Sequence, residues 1–207
     1  MSYDNMIRER KPTAEILEAQ KKHWDSLPNF VGGPLSAFDL VDNILKVAGD
    51  CFSNKKILDY GSGGISRLMQ GMKEHNIEVL SYTGADISKI LLTTASGRFP
   101  QYTYVLLEDN ETLPFIDSYF DTVVMYSVLT HTSVEQDIQI LKAIRRVLVK
   151  DGILIFTIFD IEVGADGICK SIDKTRKILE ETGYKIVSEA DVPEITGTHQ
   201  HLFKVTK

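Results

Sequence analysis

A glycine-rich segment directly after an apolar run is the part of the sequence best suited to chemistry. From Asp59 to Gly63 it places a carboxylate two positions before the first of two glycines. Glycine suits such a loop because a side chain would hold a ligand off the backbone, and because some loop positions can require positive φ. Asp86 closes the next apolar run. This spacing is typical of a strand–loop–helix unit that binds adenosine, so we expect a nucleoside-containing cofactor.

The two carboxylates are expected to have different roles. Asp86, at the end of a strand, can accept hydrogen bonds from both hydroxyls of a ribose. The alternative, that Asp86 caps the next helix, is weaker because Ser88 is better placed as the N-cap. Asp59 is expected to hold either the glycine loop or a positively charged amino group of the cofactor.

Five apolar runs predict buried parallel strands, and they are Lys56 to Tyr60, Val79 to Asp86, Tyr102 to Leu107, Asp121 to Tyr126 and Gly152 to Phe159. Apolar residues at helical spacing from Val134 to Leu148 predict the crossover helix before the last run, ended by Asp151-Gly152. A further helix and two strand candidates, Lys185 to Asp191 and His199 to Val205, follow. The short connection between these two predicts a hairpin. We therefore expect an α/β three-layer sandwich with a mostly parallel seven-stranded sheet and one antiparallel strand near the C-terminus.

The region before the first strand is predicted to be helical. Ile16, Ala19, Gln20, His23 and Trp24 recur at the spacing of one amphipathic helix. We interpret residues 1–49 as a cap or lid over the cofactor, with Trp24 near the substrate, and residues 50–207 as the cofactor-binding sheet of the same single domain. The alternative is a helix that only packs beside the sheet.

Composition narrows the possible partners. A chain of 207 residues with 29 acidic and 23 basic side chains has a net charge of −6, so it lacks the basic character of a nonspecific phosphate binder, and a nucleic-acid partner is disfavoured. No signal segment or membrane span is evident, so we expect a cytoplasmic protein without a membrane partner. Cys51 and Cys169 are far apart and suggest neither a zinc site nor a disulfide.

Five segments in order resemble the motifs of the class I S-adenosylmethionine-dependent methyltransferases, and they are Ile57 to Gly63, Gly84 to Ser88, Asp109 to Phe115, Phe120 to Val124 and Arg146 to Gly152. The resemblance implies a Rossmann-like fold, S-adenosylmethionine as cofactor and S-adenosylhomocysteine as product. The sequence departs from the family pattern at Ile65, where a third glycine is usual, and Gly64 stands one place earlier. A glycine is also missing before Gly152, but Asp151 can adopt the left-handed conformation.

The cofactor-binding residues implied by the resemblance are Asp59, Gly61, Ser62, Gly63, Asp86, Ile87, Asp109, Asn110 and Tyr126. Ile87 would cover one face of the adenine, although core packing is an equal alternative. Asp109 would meet the exocyclic amine of the adenine, and the backbone of Asn110 a ring nitrogen. The backbone carbonyl of Tyr126 would reach the methionyl group, and packing alone is the alternative role for its ring.

Methyl transfer by in-line attack requires mainly that the protein orient the two reactants and exclude water. A general base is needed only if the acceptor is a hydroxyl, and His131, which follows the fourth strand, is the candidate. A structural role for His131 is the alternative. His199 and His201 begin the last strand, on one face with Phe203, and we favour an acceptor-contacting or structural role because two histidines alone are a weak metal site. No metal is predicted.

These observations favour methyl transfer to a small-molecule or sugar acceptor, free or part of a glycan. Residues 126–132 resemble a form found in methyltransferases of surface-polysaccharide and secondary metabolism, which slightly favours an oxygen acceptor. Alternatives are a non-catalytic S-adenosylmethionine-binding module or partner subunit and, with less support, an NAD-dependent oxidoreductase, since the final glycine of the dinucleotide fingerprint is missing. A protein or nucleic-acid methyltransferase would be expected to carry an Asn-Pro-Pro-Tyr type of motif near Met125, which is absent. The oligomeric state is not predicted.

Overall fold

A seven-stranded sheet organises the part of the chain that the computed structural model describes, residues 13–27, 37–159, 171–192 and 200–207. The strands are β1 (Lys56–Tyr60), β2 (Ser81–Asp86), β3 (Thr103–Leu106), β4 (Phe120–Met125), β5 (Leu148–Phe159), β6 (Lys185–Val192) and β7 (Gln200–Thr206). Their order in the sheet is β3-β2-β1-β4-β5-β7-β6. Only β7 runs antiparallel to its neighbours β5 and β6. The predicted fold class is confirmed.

Helices cover both faces of the sheet. The described helices are α1 (Thr13–Asp25), α2 (Ala37–Ala48), α3 (Arg67–Glu74), α4 (Lys89–Arg98), α5 (Val134–Val147) and α6 (Ile172–Glu181), with a short 3₁₀ helix at Leu129–His131. Alternate residues of each buried strand enter two separate cores. In β1, Ile57 packs with α2 and α3, whereas Leu58 packs with α5 and α6. None of these described helices is both long and apolar enough to cross a membrane.

The strand order places the carboxyl ends of β1 and β4 side by side. The chain leaves β1 towards β2 on one side of the sheet, and β4 pairs with β1 on the other. Such a reversal opens a crevice at the carboxyl edge of a parallel sheet, where ligands bind. Asp59 lies next to Gly84 of β2 and Val124 of β4 in register. The topology therefore brings the first acidic residue to the crevice.

The connection from α5 to β5 differs from the prediction. The helix ends at Val147 and the strand begins at Leu148, earlier than the predicted stop at Asp151-Gly152. Asp151 has a φ of 61°, so the expected left-handed aspartate is present. A Cβ at Gly152 would lie 2.9 Å from the Val149 carbonyl oxygen, which explains the glycine. This pair therefore lies inside β5, where the register with β4 shifts, instead of ending the helix.

Candidate active site

A cavity of about 330 Å³ lies at the carboxyl edge of the sheet, within the range of roughly 300–1,000 Å³ for ligand pockets. The residues that the sequence predicts and that line it are Trp24, Asp59, Gly61, Ser62, Gly63, Asp86, Ile87, Asn110, Tyr126 and His131. Asp109 and His201 are not among its lining residues. His199 lies outside the described residues. The structure thus brings most of the predicted site into one cavity.

The glycine loop keeps its two leading glycines in the left-handed conformation. Gly61 has a φ of 74° and Gly63 a φ of 63°. A Cβ at Gly61 would clash with Cγ2 of Val128, so a side chain there would have to displace Val128. Ile65, at the position of the usual third glycine, is buried and lines the cavity, and Ser66 then takes a φ of 46° before α3 begins. The loop therefore accommodates the departure from the family pattern with an isoleucine in the cavity wall.

Asp86 joins the glycine loop to the start of α4. One carboxylate oxygen accepts a hydrogen bond from the Gly63 N–H (3.0 Å), and the other accepts from the Ser88 N–H (2.9 Å). Ser88 Oγ in turn accepts from the Leu91 N–H, which confirms Ser88 as the N-cap of α4. Burial raises the pKa of Asp86 above its usual value. Each carboxylate oxygen has a second lone pair, so Asp86 can also accept from ligand hydroxyls.

Asp59 is buried in the cavity wall, where its carboxylate is hydrogen-bonded to a tyrosine of β2. Oδ2 accepts from the hydroxyl of Tyr82 at 2.6 Å. The pKa of Asp59 is raised to about 7, chiefly by burial and to a smaller extent by the negative charge of Asp86, while the hydrogen bond from Tyr82 opposes the shift. At neutral pH the group is therefore shared between its protonated and ionised forms. A cationic ligand group beside it would favour the ionised form.

Asn110 is held in the cavity wall from two sides. Its backbone carbonyl accepts from the hydroxyl of Tyr60 at 2.5 Å, and its side-chain Nδ2 donates to Oε1 of Gln20 at 2.5 Å. The neighbouring Asp109 instead uses Oδ1 to accept from the N–H groups of Glu111 and Thr112. This carboxylate shapes the loop after β3, and the predicted contact of Asp109 with an adenine amine stays a prediction.

Ser62 and Ile87 give the cavity one polar and one apolar contact point. Ser62 Oγ is buried and has no hydrogen-bond partner among the described residues. A buried hydroxyl without a partner costs free energy, so a ligand or water is expected to supply one. Ile87 is half-buried, lines the cavity and also packs against the core. The position of Ile87 is compatible with both of its predicted roles.

Helix α1 contributes Gln20 and Trp24 to the cavity wall and is attached to three loops at the carboxyl edge. Gln20 Nε2 donates to the His131 carbonyl oxygen (2.8 Å), while Gln20 Oε1 accepts from Asn110. Lys21 Nζ donates to the Glu108 carbonyl oxygen (2.5 Å). At the end of α1, Asp25 Oδ1 accepts from Ser88 Oγ (2.5 Å). The attachment favours the lid interpretation over a helix packed beside the sheet.

His131 ends the 3₁₀ helix that follows β4. Its ring meets Trp24 of α1 edge to face, with the ring centroids 5.0 Å apart and the planes at 83°. Ser127, just after β4, has a φ of 57° and donates its N–H to Thr157 Oγ1 at 3.0 Å.

Tyr126 donates its hydroxyl to Gln200 Oε1 at 2.9 Å, and burial raises the pKa of Tyr126 to about 12. The segment after β4 thus has a strained start, and it carries its histidine to the cavity wall.

His201 is buried between two carboxylates of the neighbouring strand β6. Its Nδ1 lies 2.8 Å from Asp191 Oδ1, and its Nε2 lies 3.1 Å from Glu189 Oε2. The ring contacts that of Phe203, with the centroids 4.8 Å apart, so the two share an inward face as expected. These contacts favour a structural role. In the described part of the chain, no group of three or more His, Cys, Asp or Glu residues is arranged to hold a metal ion.

Three residues of the site were not assigned from the sequence. Tyr82 holds Asp59, Gln20 joins α1 to the loops, and Arg67 lines the cavity with its Cζ 5.8 Å from the centre of the Tyr126 ring. Nothing in the local pattern singles out Tyr82 or the partners of Gln20. Arg67 does carry a signal, because a cation in the first turn of a helix opposes the helix dipole and so calls for another reason.

Comparison with known proteins identifies the family. Residues 58–156 match the sequence model of the methyltransferase domain family. No curated protein sequence matches the chain significantly. Among solved structures, the [4+2]-cyclase SpnF has a TM-score of 0.74 at 17% identity, with 92% of this chain and 95% of that chain covered.

Two further structures share the fold. A phosphoethanolamine N-methyltransferase of Haemonchus contortus gives a TM-score of 0.71 at 14% identity, over 92% of this chain and 58% of that chain. An S-adenosylmethionine-dependent methyltransferase of Aquifex aeolicus gives a TM-score of 0.64 at 14% identity, over 91% of this chain and 97% of that chain. These likenesses concern the fold, and the family match covers the glycine loop, Asp86 and the segment after β4. Residues 58–156 therefore match the methyltransferase domain family, and the fold is one that S-adenosylmethionine-dependent methyltransferases share.

Proposed function

We propose that the protein transfers the methyl group to an oxygen atom of a small-molecule or sugar acceptor bound beneath α1. The proposal rests on the position of His131, which lies in the cavity wall with its ring against Trp24 of α1. A histidine in that position can accept the proton that a hydroxyl loses on methylation. An amine acceptor that is already neutral would need no such group.

The cavity residues fit S-adenosylmethionine, which supplies an activated methyl group when bound. Asp86 would accept the ribose hydroxyls, and Ile87 would cover the adenine beside Asn110. The partnerless hydroxyl of Ser62 would gain a hydrogen bond from the cofactor. Asp59 would hold the ammonium group, whose charge favours the ionised form of a carboxyl with a pKa of about 7.

The attachment of α1 beside the cavity favours a small acceptor. Gln20 and Asp25 attach α1 to loops that follow three different strands, β4, β3 and β2. A polymer would need an open groove, whereas a small molecule or a terminal sugar can enter beneath a helix that opens and closes. Closure over the reactants also excludes water, which removes competing reactions and strengthens electrostatic contacts.

The test is a screen with methyl-labelled S-adenosylmethionine against paired acceptors, each pair differing only in a hydroxyl or an amine. We expect label on the hydroxyl members. His131→Ala should then lower kcat by about 10²- to 10⁴-fold, the usual contribution of a general base. The affinity of His131→Ala for S-adenosylhomocysteine should stay within about twofold of that of the unmodified protein. The reason is that His131 accepts a proton from the acceptor and not from the cofactor.

His75→Ala is the matched control, because His75 caps the end of α3 and does not line the cavity. Its turnover should be close to that of the unmodified protein. Label transferred only to amines, or full turnover of His131→Ala at every pH, would contradict the proposal. Tight binding of the cofactor without transfer to any acceptor would favour the non-catalytic alternative.

A further inference from the structure

Arg67 is a buried cation in the wall of the cavity. It is the first residue of α3, directly after the glycine loop, and only 8% of its surface is exposed. Burial lowers the pKa of its guanidinium, and interactions with Tyr126 and Asp39 oppose that shift. Its Cζ lies 5.8 Å from the centre of the Tyr126 ring. The fold therefore holds a positive charge where solvation is poor.

This position is unfavourable for an arginine that serves only packing. A buried charge costs free energy unless charged or hydrogen-bonding groups compensate for it, and the N-terminal end of a helix dipole repels a cation. An arginine on the exposed face of the last turn of α3 would instead be solvated and would lie at the favourable end of the dipole. A ligand anion at the same place would benefit from both the guanidinium and the helix N-terminus.

The charges of the cavity wall are complementary to an α-amino acid. Among the described residues that line the cavity, Arg67 is the only lysine or arginine, and Asp59 lies eight positions earlier in the same strand–loop–helix unit. An α-amino acid carries an ammonium group and a carboxylate on one carbon atom. An acidic and a basic side chain in one cavity can bind the two groups together.

We infer that Arg67 binds the carboxylate at the methionyl end of S-adenosylmethionine, while Asp59 binds the ammonium group. This assignment rests on the proposed binding of the cofactor in this cavity and adds a residue to it. The planar guanidinium can donate two parallel hydrogen bonds to one carboxylate, which a lysine cannot reproduce. Arg67 therefore selects for the amino-acid end of the cofactor and not for its adenosine.

The test compares two ligands by calorimetry, S-adenosylhomocysteine and 5′-methylthioadenosine, which keeps the adenosine and the thioether but lacks the amino-acid end. The unmodified protein should bind S-adenosylhomocysteine more tightly. Arg67→Met should weaken that binding by about 10- to 100-fold, the range for a charged hydrogen-bonding partner. Its affinity for 5′-methylthioadenosine should change by less than about twofold.

Two further variants separate the role of Arg67 from general damage. Arg67→Lys keeps the charge and should recover part of the affinity for S-adenosylhomocysteine. Arg98→Met makes the same exchange at an exposed arginine at the end of α4, which does not line the cavity, and should bind both ligands normally. A thermal melt of each variant checks that it is folded.

The assignment is overturned if Arg67→Met and Arg67→Lys keep full affinity for S-adenosylhomocysteine, or if they lose affinity for both ligands equally. In either case the unmodified protein still binds S-adenosylhomocysteine, and the proposed cofactor site survives. If the unmodified protein binds neither ligand, the proposed cofactor site fails and the assignment of Arg67 fails with it.

Discussion

The carboxylate of Asp86 accepts a hydrogen bond of 3.0 Å from the backbone N–H of Gly63. The acidic residue at the end of β2 therefore holds the glycine loop that follows β1, 23 positions earlier in the chain. Its other oxygen accepts from Ser88 at the start of α4. One carboxylate thus fixes both loops that border the expected ribose position. Its loss should therefore disturb the two loops and weaken ligand binding.

Asp86→Ala should weaken the binding of S-adenosylhomocysteine by about 1–3 kcal/mol, because it leaves hydrogen-bonding groups of the protein and the ribose without a partner. Calorimetry measures the change. Asp42→Ala is the control, because Asp42 is a surface residue paired with Lys46 of the same helix. Unchanged affinity in Asp86→Ala would remove Asp86 from the cofactor site.

Gly61→Ala should destabilise the fold and abolish cofactor binding. The new methyl group would clash with Cγ2 of Val128, and the φ of 74° is unfavourable for alanine. Gly97→Ala is the matched control, since a Cβ there meets nothing within 4 Å. We expect a lower melting temperature only for Gly61→Ala, and equal melting curves for the two variants would show that the loop adapts.

Asp59→Asn should stabilise the protein without ligand at alkaline pH. The pKa of Asp59 is raised to about 7 in the folded protein from 3.8, so the folded state binds more protons than the unfolded state between these values. The contribution of Asp59 to stability therefore falls as pH rises from about 4 to about 7. Asparagine avoids the buried charge, and its side-chain oxygen can still accept from Tyr82.

Melting temperatures at pH 5 and pH 8 measure this effect. The melting temperature of Asp59→Asn should exceed that of the unmodified protein by more at pH 8 than at pH 5. At pH 8 the difference should be at least about 2 °C, which is the shift for about 1 kcal/mol in a domain of this size. The same variant should bind S-adenosylhomocysteine more weakly. A pH-independent difference between the two proteins would mean that Asp59 does not titrate near neutrality.

Binding of S-adenosylhomocysteine near pH 7 should release a fraction of a proton. The ammonium group of the ligand lowers the pKa of a carboxyl that is about half protonated in the free protein. Calorimetry in two buffers with different ionisation enthalpies measures the proton, and Asp59→Asn should not release it. The same heat in both buffers would contradict the pairing of Asp59 with the ammonium group.

Gln20→Ala should speed the dissociation of S-adenosylhomocysteine by about fivefold or more, because α1 loses hydrogen bonds to both Asn110 and the His131 backbone. Trp24 is the only tryptophan of the chain and lies against His131, so its fluorescence can report the rate in stopped-flow experiments. Glu18→Ala, on the exposed side of α1, is the control. Equal rates for both variants would mean that α1 is not a lid.

The sequence predicts the central strands well because burial on both faces makes their apolar runs continuous. The predicted β1, Lys56 to Tyr60, agrees with the structure at both ends. The helices α3 and α4 were not delimited, because α3 follows an irregular loop and α4 lacks a clear apolar stripe. Where a strand is buried, pattern alone is sufficient, whereas a short helix beside a loop depends on tertiary packing.

The individual site residues could be predicted, but most of their mutual contacts could not. Asp86, Gly63 and His131 follow from the motifs and from the strand ends. The contact of Gln20 with Asn110 joins residues 90 positions apart, and it depends on how α1 crosses the sheet. The contacts of Asp109, in contrast, are local. Its carboxylate accepts hydrogen bonds from the N–H groups of the residues two and three positions later, which is a turn feature that a sequence can indicate.

The most direct test of cofactor binding at this cavity is a parallel calorimetric titration of the purified protein with S-adenosylmethionine, S-adenosylhomocysteine and NAD. We predict micromolar binding of the two sulfur nucleosides at one site, with no heat from NAD. Binding of NAD, or no binding of either sulfur nucleoside, would contradict the account.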